Sequence, residues 1–148
     1  MSREGSQQGA GSRELTGKGG AVGYRGKMSD KQFRFQDLEI WRRGAKISGK
    51  LFQLADELEK RRLFRFAEQL RGATLSITNN IAEGSGSFSD TDFANFLNIS
   101  RRSVFEVANM LLILSKENYL PSKMIQPLLA ELEELSRMLS SFRRTLKC

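Results

Sequence analysis

SITNNIAEGSGSFSD, Ser76 to Asp90, passes from a helical pattern into a glycine-serine break. Ile77 and Ile81 lie four apart, the spacing of one helix face. Gly84 and Gly86 then supply a C-terminal break. Ser89 can cap a following helix, with Asp92 at the capping-box position as a shorter acid than the usual glutamate. The stretch reads as helix, tight turn, helix.

Working upstream, Leu63, Phe66, Leu70 and Ala73 join Ile77 and Ile81 at steps of three or four, which predicts a helix over about residues 63–83. Downstream, Phe93, Leu97, Ser100, Val104, Val107, Leu111 and Leu114 alternate steps of four and three, predicting a third helix. After YLPS, Ile125, Leu128, Leu132, Leu135, Leu139, Phe142 and Leu146 repeat that spacing. Pro127 falls in the first turns of this fourth helix and predicts a kink or an offset start.

The first helix is predicted over about residues 37–59, with Asp37 as its N-cap. It carries two apolar stripes. Leu38, Trp41, Ala45, Phe52 and Ala55 form one; Ile40, Ile47, Leu51, Leu54 and Leu58 form the other. Two stripes exceed the need of one bundle seam and point to a further apolar contact. Gly44 and Gly49 each cost about 1 kcal/mol against alanine, which close approach of a neighbouring backbone would offset. The links, at about 60–62, 84–88 and 118–121, are short and force antiparallel neighbours. The predicted fold is an all-α, antiparallel up-down-up-down four-helix bundle over residues 34–148.

Residues 1–33 hold eight of the thirteen glycines and scarcely any large aliphatic side chains. Such a segment cannot repay its ordering entropy by burial, so a disordered tail is predicted. Composition changes at Met28, which marks an expected natural start, the preceding residues being an upstream extension.

Within its 148 residues the chain has no histidine, and its one cysteine is Cys148. Histidine-based acid–base chemistry, Cys–His nucleophiles and Cys/His zinc sites are thereby excluded. No intrachain disulfide can form, which fits a reducing cytoplasm. No apolar run long enough for a membrane span occurs, and no apolar signal core opens the sequence. Lys plus Arg number 24 against 17 Asp plus Glu, a net charge of +7. A basic balance points to an anionic partner such as nucleic acid, although a solvated surface gives the same count.

Three segments carry a family resemblance. FQDLEIW in the first helix, EQLRGATLSITNNIAEGSG across the second and DFANFLNISRRSVFEVANMLLIL across the third resemble the four-helix-bundle family known as 23S rRNA intervening-sequence or S23 ribosomal proteins. The resemblance covers about residues 35–146, and Asn80 to Gly84 is its most specific run. Three positions depart from the family pattern. Gly72 stands where arginine is usual, Thr78 where proline is usual, and Phe88 where arginine is frequent. The first and third changes remove positive charge. The resemblance implies a bacterial, cytoplasmic, non-enzymatic bundle that forms ring-shaped homopentamers. It also implies a relation to retroelement accessory bundles, which bind nucleic acid and a partner protein.

Asn79, Asn80 and Glu83 have three readings: structural polar pins, a functional recognition contact, or a metal or catalytic site. As structural polar pins they would fix helix register and cap the Gly84 turn. As cation ligands they lack a convergent oxygen set, and the di-iron bundle pattern would need histidines. The pin reading is preferred, and no metal or cofactor is expected. GSGS, Gly84 to Ser87, lacks the lysine and spacing of a phosphate-binding loop.

Placed on the bundle, Arg34, Arg42, Arg43, Arg143, Arg144 and Lys147 gather at one pole, where the first helix starts and the fourth ends. Arg42, Lys46 and Lys50 recur every four residues as a basic stripe. Arg42, Arg43, Lys46, Lys50, Arg143, Arg144 and Lys147 are therefore the candidate nucleic-acid-binding residues. The expected function is a homo-oligomeric scaffold binding RNA, DNA or an associated ribonucleoprotein. The alternative is a protein–protein module with no nucleic-acid role.

Overall fold

A computed structural model describes residues 32–148; the expected start at Met28 and, apart from residues 32 and 33, the expected disordered tail lie outside that range, while Phe33 holds the N-cap position of the first turn. Four helices follow a 3-10 turn at Arg34–Asp37: α1 Glu39–Lys60, α2 Phe64–Ser85, α3 Asp90–Lys116 and α4 Ser122–Thr145. There is no strand among the described residues. Helix α1 packs on α2 and α4, and α3 packs on the same two. Cross-helix pairs run in opposite senses: Ser76 meets Ser103 and Ile77 meets Ser100, while Arg43 meets Glu134 and Lys50 meets Glu131. Neighbours are antiparallel, as the short links require.

The heptad positions form the core. Leu51, Leu58, Leu70, Ile77, Ile81, Leu97, Leu111, Ile125, Leu132, Leu135 and Leu139 are all fully enclosed. On α1 the stripe beginning at Ile40 is buried throughout. The stripe beginning at Leu38 is only half-buried apart from Ala55, with Leu38 and Trp41 resting on the core's margin. Larger apolar side chains are exposed elsewhere, among them Ile99, Phe105, Leu112 and Ile113 on α3, Phe64 and Leu75 on α2, Met124 on α4, and Phe33 and Phe88 outside the helices.

Helices α1 and α3 close with the same C-terminal device. Arg62 and Asn118 take left-handed backbone angles, φ 62° and 63°. Leu63 N–H then reaches Leu58 O, and Tyr119 N–H reaches Leu114 O. Paired with the bonds from Arg62 to Glu59 and from Asn118 to Ser115, these are Schellman closures.

Several local expectations are corrected. Asp37 does not cap α1; it belongs to the 3-10 turn, its carboxylate lies 3.4 Å from Arg42, and Leu38 holds the N-cap position. Gly84 does not end α2. It is a buried helical residue, and the helix runs to Ser85 with Gly86 as C-cap. Pro127 falls in the first turns of α4, as expected, and the helix is one element from Ser122 to Thr145. Gly44 has a close neighbour, but it is a side chain and not the expected backbone: an added Cβ would stand 3.1 Å from Thr78 Cγ2. Gly49 has none: its missing Cβ faces open space, so its helix cost is not offset by packing. Ser89 does cap α3, accepting from Asp92 N–H at 3.2 Å.

Candidate nucleic-acid interface

One pole of the bundle joins the start of α1, the link between α2 and α3, and the end of α4. Its floor is aromatic. Phe93, buried in the first turn of α3, meets Phe142 of α4 edge-on, with centroids 5.5 Å apart. The Arg34 guanidinium lies 5.7 Å from the Phe93 centroid. Asp90 accepts the Lys147 backbone N–H at 2.9 Å and ties the end of the chain to the start of α3. Arg34, Arg143, Arg144 and Lys147 thus stand at the same end, all exposed. Among the described residues none of the four pairs with an acid within the ion-pair distance of 4.0 Å; Arg144 donates to Ser141 Oγ at 3.3 Å.

The α1 cations are differently placed. Arg42 lies 3.4 Å from Asp37 and 3.9 Å from Glu39, and its Nε donates to Gln36 O. Arg43 reaches across to Glu134 of α4 at 3.0 Å, and Lys50 to Glu131 at 2.7 Å. The sequence stripe of Arg42, Lys46 and Lys50 is therefore not a run of unpaired charge. Among the described residues, Lys46 has no acid partner within ion-pair distance. Phosphate would have to compete with carboxylates for Arg42, Arg43 and Lys50. Exposed pairs of this kind are weak, so competition lowers their contribution without abolishing it.

At the opposite pole charge is partly neutralised, and Arg62 and Arg65 are exposed there with no ion pair among the described residues. Arg71 bridges Asp56 at 2.7 Å and Glu59 at 2.6 Å, and Lys60 holds Glu57 at 2.8 Å. Arg71 is held more firmly charged than an ordinary arginine, first by its hydrogen bond to Asp56 and then by that to Glu59. Arg61 donates to Tyr119 O and lies 6.0 Å from that ring's centroid.

The polar residues of α2 separate. Asn80 is half-buried, and its amide donates to Ser76 O at 2.7 Å and Ser76 Oγ at 3.0 Å. Ser76 Oγ lies 2.8 Å from Ser103 Oγ of α3, and Ser103 donates on to Ile99 O at 3.2 Å. Asn79 and Glu83 are exposed, with no side-chain hydrogen bond among the described residues. The reason is helical phase: Asn79 and Glu83 share the outward side of α2, one step from the seam that Asn80 reaches. Expected pinning by all three thus narrows to Asn80. The missed partners are serines. Ser100 is fully buried and donates to Ile77 O at 2.7 Å across the seam. Its signal was a hydroxyl inside an apolar heptad.

Between α1 and α4 an open groove of about 640 Å³ has Leu54 and Leu128 in its floor and Met124 and Pro127 along one side. No group of three or more acidic or cysteine side chains suited to a metal ion occurs among the described residues. No helix among them is long and apolar enough to cross a membrane.

Comparison with known proteins agrees with this architecture. The model of a family described as 23S rRNA-intervening sequence protein matches residues 36–141. A crystal structure from Bacteroides thetaiotaomicron, of a protein with unknown function from the S23 ribosomal protein family, is similar with a TM-score of 0.67. Identity is 22%, over 70% of this chain and 97% of that one, so the likeness bears on the fold alone. Among curated proteins none matches.

Proposed function

This chain belongs to the 23S rRNA-intervening sequence protein family, and on that premise we propose that it is a non-enzymatic, cytoplasmic, homo-oligomeric scaffold whose basic pole binds RNA or an RNA–protein assembly. The observation that carries the RNA reading is the grouping of Arg34, Arg143, Arg144 and Lys147 at one pole with no acid in ion-pair reach among the described residues. Phosphates reward such cations by releasing counterions, with little preference for sequence. The non-enzymatic part rests on the absence of histidine and on a lone cysteine at position 148.

Self-association is supported by Ile99, Phe105, Leu112 and Ile113, which leave large apolar side chains on the outer side of α3. A pentamer is the state that the family resemblance implies, and mass in solution reads it directly. The α3 side chains and the groove between α1 and α4 also favour a second reading, a protein–protein module with no nucleic-acid role.

Titration of RNA at several ionic strengths separates the two readings. Replacing Arg143 and Arg144 by alanine is expected to weaken binding about equally across sequences. It should also reduce the slope of log affinity against log salt by up to about two units, since each lost phosphate contact removes about 0.9. Stability should change little, because exposed charges at a helix end contribute some tenths of a kcal/mol each. A parent protein that binds no RNA at low salt would sink the RNA reading and leave the protein–protein module.

A further inference from the structure

We infer that the basic pole takes single-stranded RNA in preference to duplex, with Phe88 as the platform on which an unpaired base stacks. The inference rests on the RNA reading above and specifies the form of RNA the site accepts.

Phe88 is the most exposed large apolar side chain among the described residues, at 110% relative exposure, fully open to water. A phenylalanine ordinarily stabilises a fold by leaving water. Within this subunit Phe88 contributes nothing of the kind. The backbone that carries it is nonetheless anchored on both sides. Gly86 N–H is bonded to Glu83 O at 3.1 Å and Ser87 N–H to Gly84 O at 3.0 Å, while Ser89 caps α3. The short link between α2 and α3 therefore holds an unburied ring between two fixed helix ends.

Its position gives the ring a chemical context. Two residues on, Asp90 accepts the Lys147 N–H, so Phe88 belongs to the same end of the bundle as Lys147 and the last turn of α4, which carries Arg143 and Arg144. A second exposed ring stands at the same pole. Phe33 is 61% exposed and stacks on Phe35, with centroids 5.6 Å apart and planes at 18°. Arg34, the next residue, leans over Phe93 in the first turn of α3. Two exposed rings, one of them stacked on Phe35, thus stand at an end whose cations have no acid partner in ion-pair reach among the described residues. The acids of this end are partly engaged: Asp90 receives Lys147 N–H, and Asp90 and Asp92 lie in the first turn of α3, where they compensate the helix dipole. Glu83 remains exposed nearby.

Cations alone would serve a duplex, whose bases are hidden in the stack and whose phosphates are its outward charge. Exposed rings interleaved with cations match an unpaired strand, in which bases can splay onto aromatic faces while phosphates meet arginine and lysine. A ring at position 88 removes the charge an arginine would bring, and it supplies a π-face in exchange.

The test compares the full-length parent and Phe88→Ala on labelled oligoadenylate and on duplex RNA of the same length, at one low salt concentration. Phe88→Ala is expected to lose about tenfold in affinity for the single strand and less than about twofold for the duplex. Phe88→Trp should retain single-strand affinity. Helicity and mass in solution should match the parent, because the ring makes no contact within the subunit. Equal losses on both substrates would overturn the inference, as would an unchanged affinity for the single strand. A variant that changes mass would also overturn it, by assigning Phe88 to a contact between copies. These results leave RNA binding by the parent intact. A parent that binds neither substrate would instead refute the RNA reading itself.

Discussion

Truncating Phe93 to alanine is expected to destabilise the bundle by about 3–5 kcal/mol, the largest single-residue effect at the basic pole. The ring is 2% exposed, meets Phe142 edge-on and backs onto Gly84. Its removal leaves a cavity where α2, α3 and α4 converge, and it takes the aromatic pair with it, itself worth about 0.5–1.5 kcal/mol. Urea titration followed by circular dichroism would show the midpoint falling with the slope unchanged. A loss under about 1 kcal/mol would mean that this end of the bundle is loosely packed.

Gly84→Ala should also destabilise, although alanine is the better helix former. An added Cβ would stand 2.7 Å from Phe93 Cδ2 and 2.7 Å from Phe96 Cβ. Neither atom is the free end of a flexible side chain, so backbone or ring must shift. At an open helical site the change would stabilise by about 1 kcal/mol; here a net cost of about 1–3 kcal/mol is expected from overpacking. Combining it with Phe93→Ala should cost less than the sum of the two, because the vacated ring removes one of the two obstacles. A coupling of about 0.5–3 kcal/mol is the range for residues in contact. Strict additivity would show that the two positions do not share the space described.

Gly84 also illustrates what could be read in advance. Heptad spacing foretold all four helices because their buried faces are almost purely aliphatic, and spacing is a property of one helix at a time. Gly84 was read as a breaker because its reason for being glycine, the Phe93 ring, comes from another helix. The cations of α1 failed in the same way. Arg43 and Lys50 are balanced by Glu134 and Glu131 of α4, partners that no local pattern could reveal. Asn79 and Asn80 differ by one residue, yet one helical step separates solvent from seam. The grouping of Arg34, Arg143, Arg144 and Lys147 was legible because it follows from antiparallel topology alone. Phe88 was visible as a departure from the family pattern, but its full exposure was not.

The antiparallel seams also imply an order of assembly. Ser100 and Ile77 are 23 residues apart in the chain, and Ser76 and Ser103 are 27 apart; Lys50 and Glu131 are separated by 81. Closing the longer span costs about 1 kcal/mol more in chain entropy than closing the shorter ones. The α2–α3 hairpin also carries buried hydroxyl bonds, whereas the α1–α4 seam is bridged at its surface and opens into a groove. The α1–α4 contact should therefore close last, and partial opening should part α1 from α4 before α2 separates from α3. Native-state amide exchange reads this directly: slower exchange on α1 and α4 than on the central pair would reverse the order. The two helices that unlatch first are also those whose ends frame the basic pole.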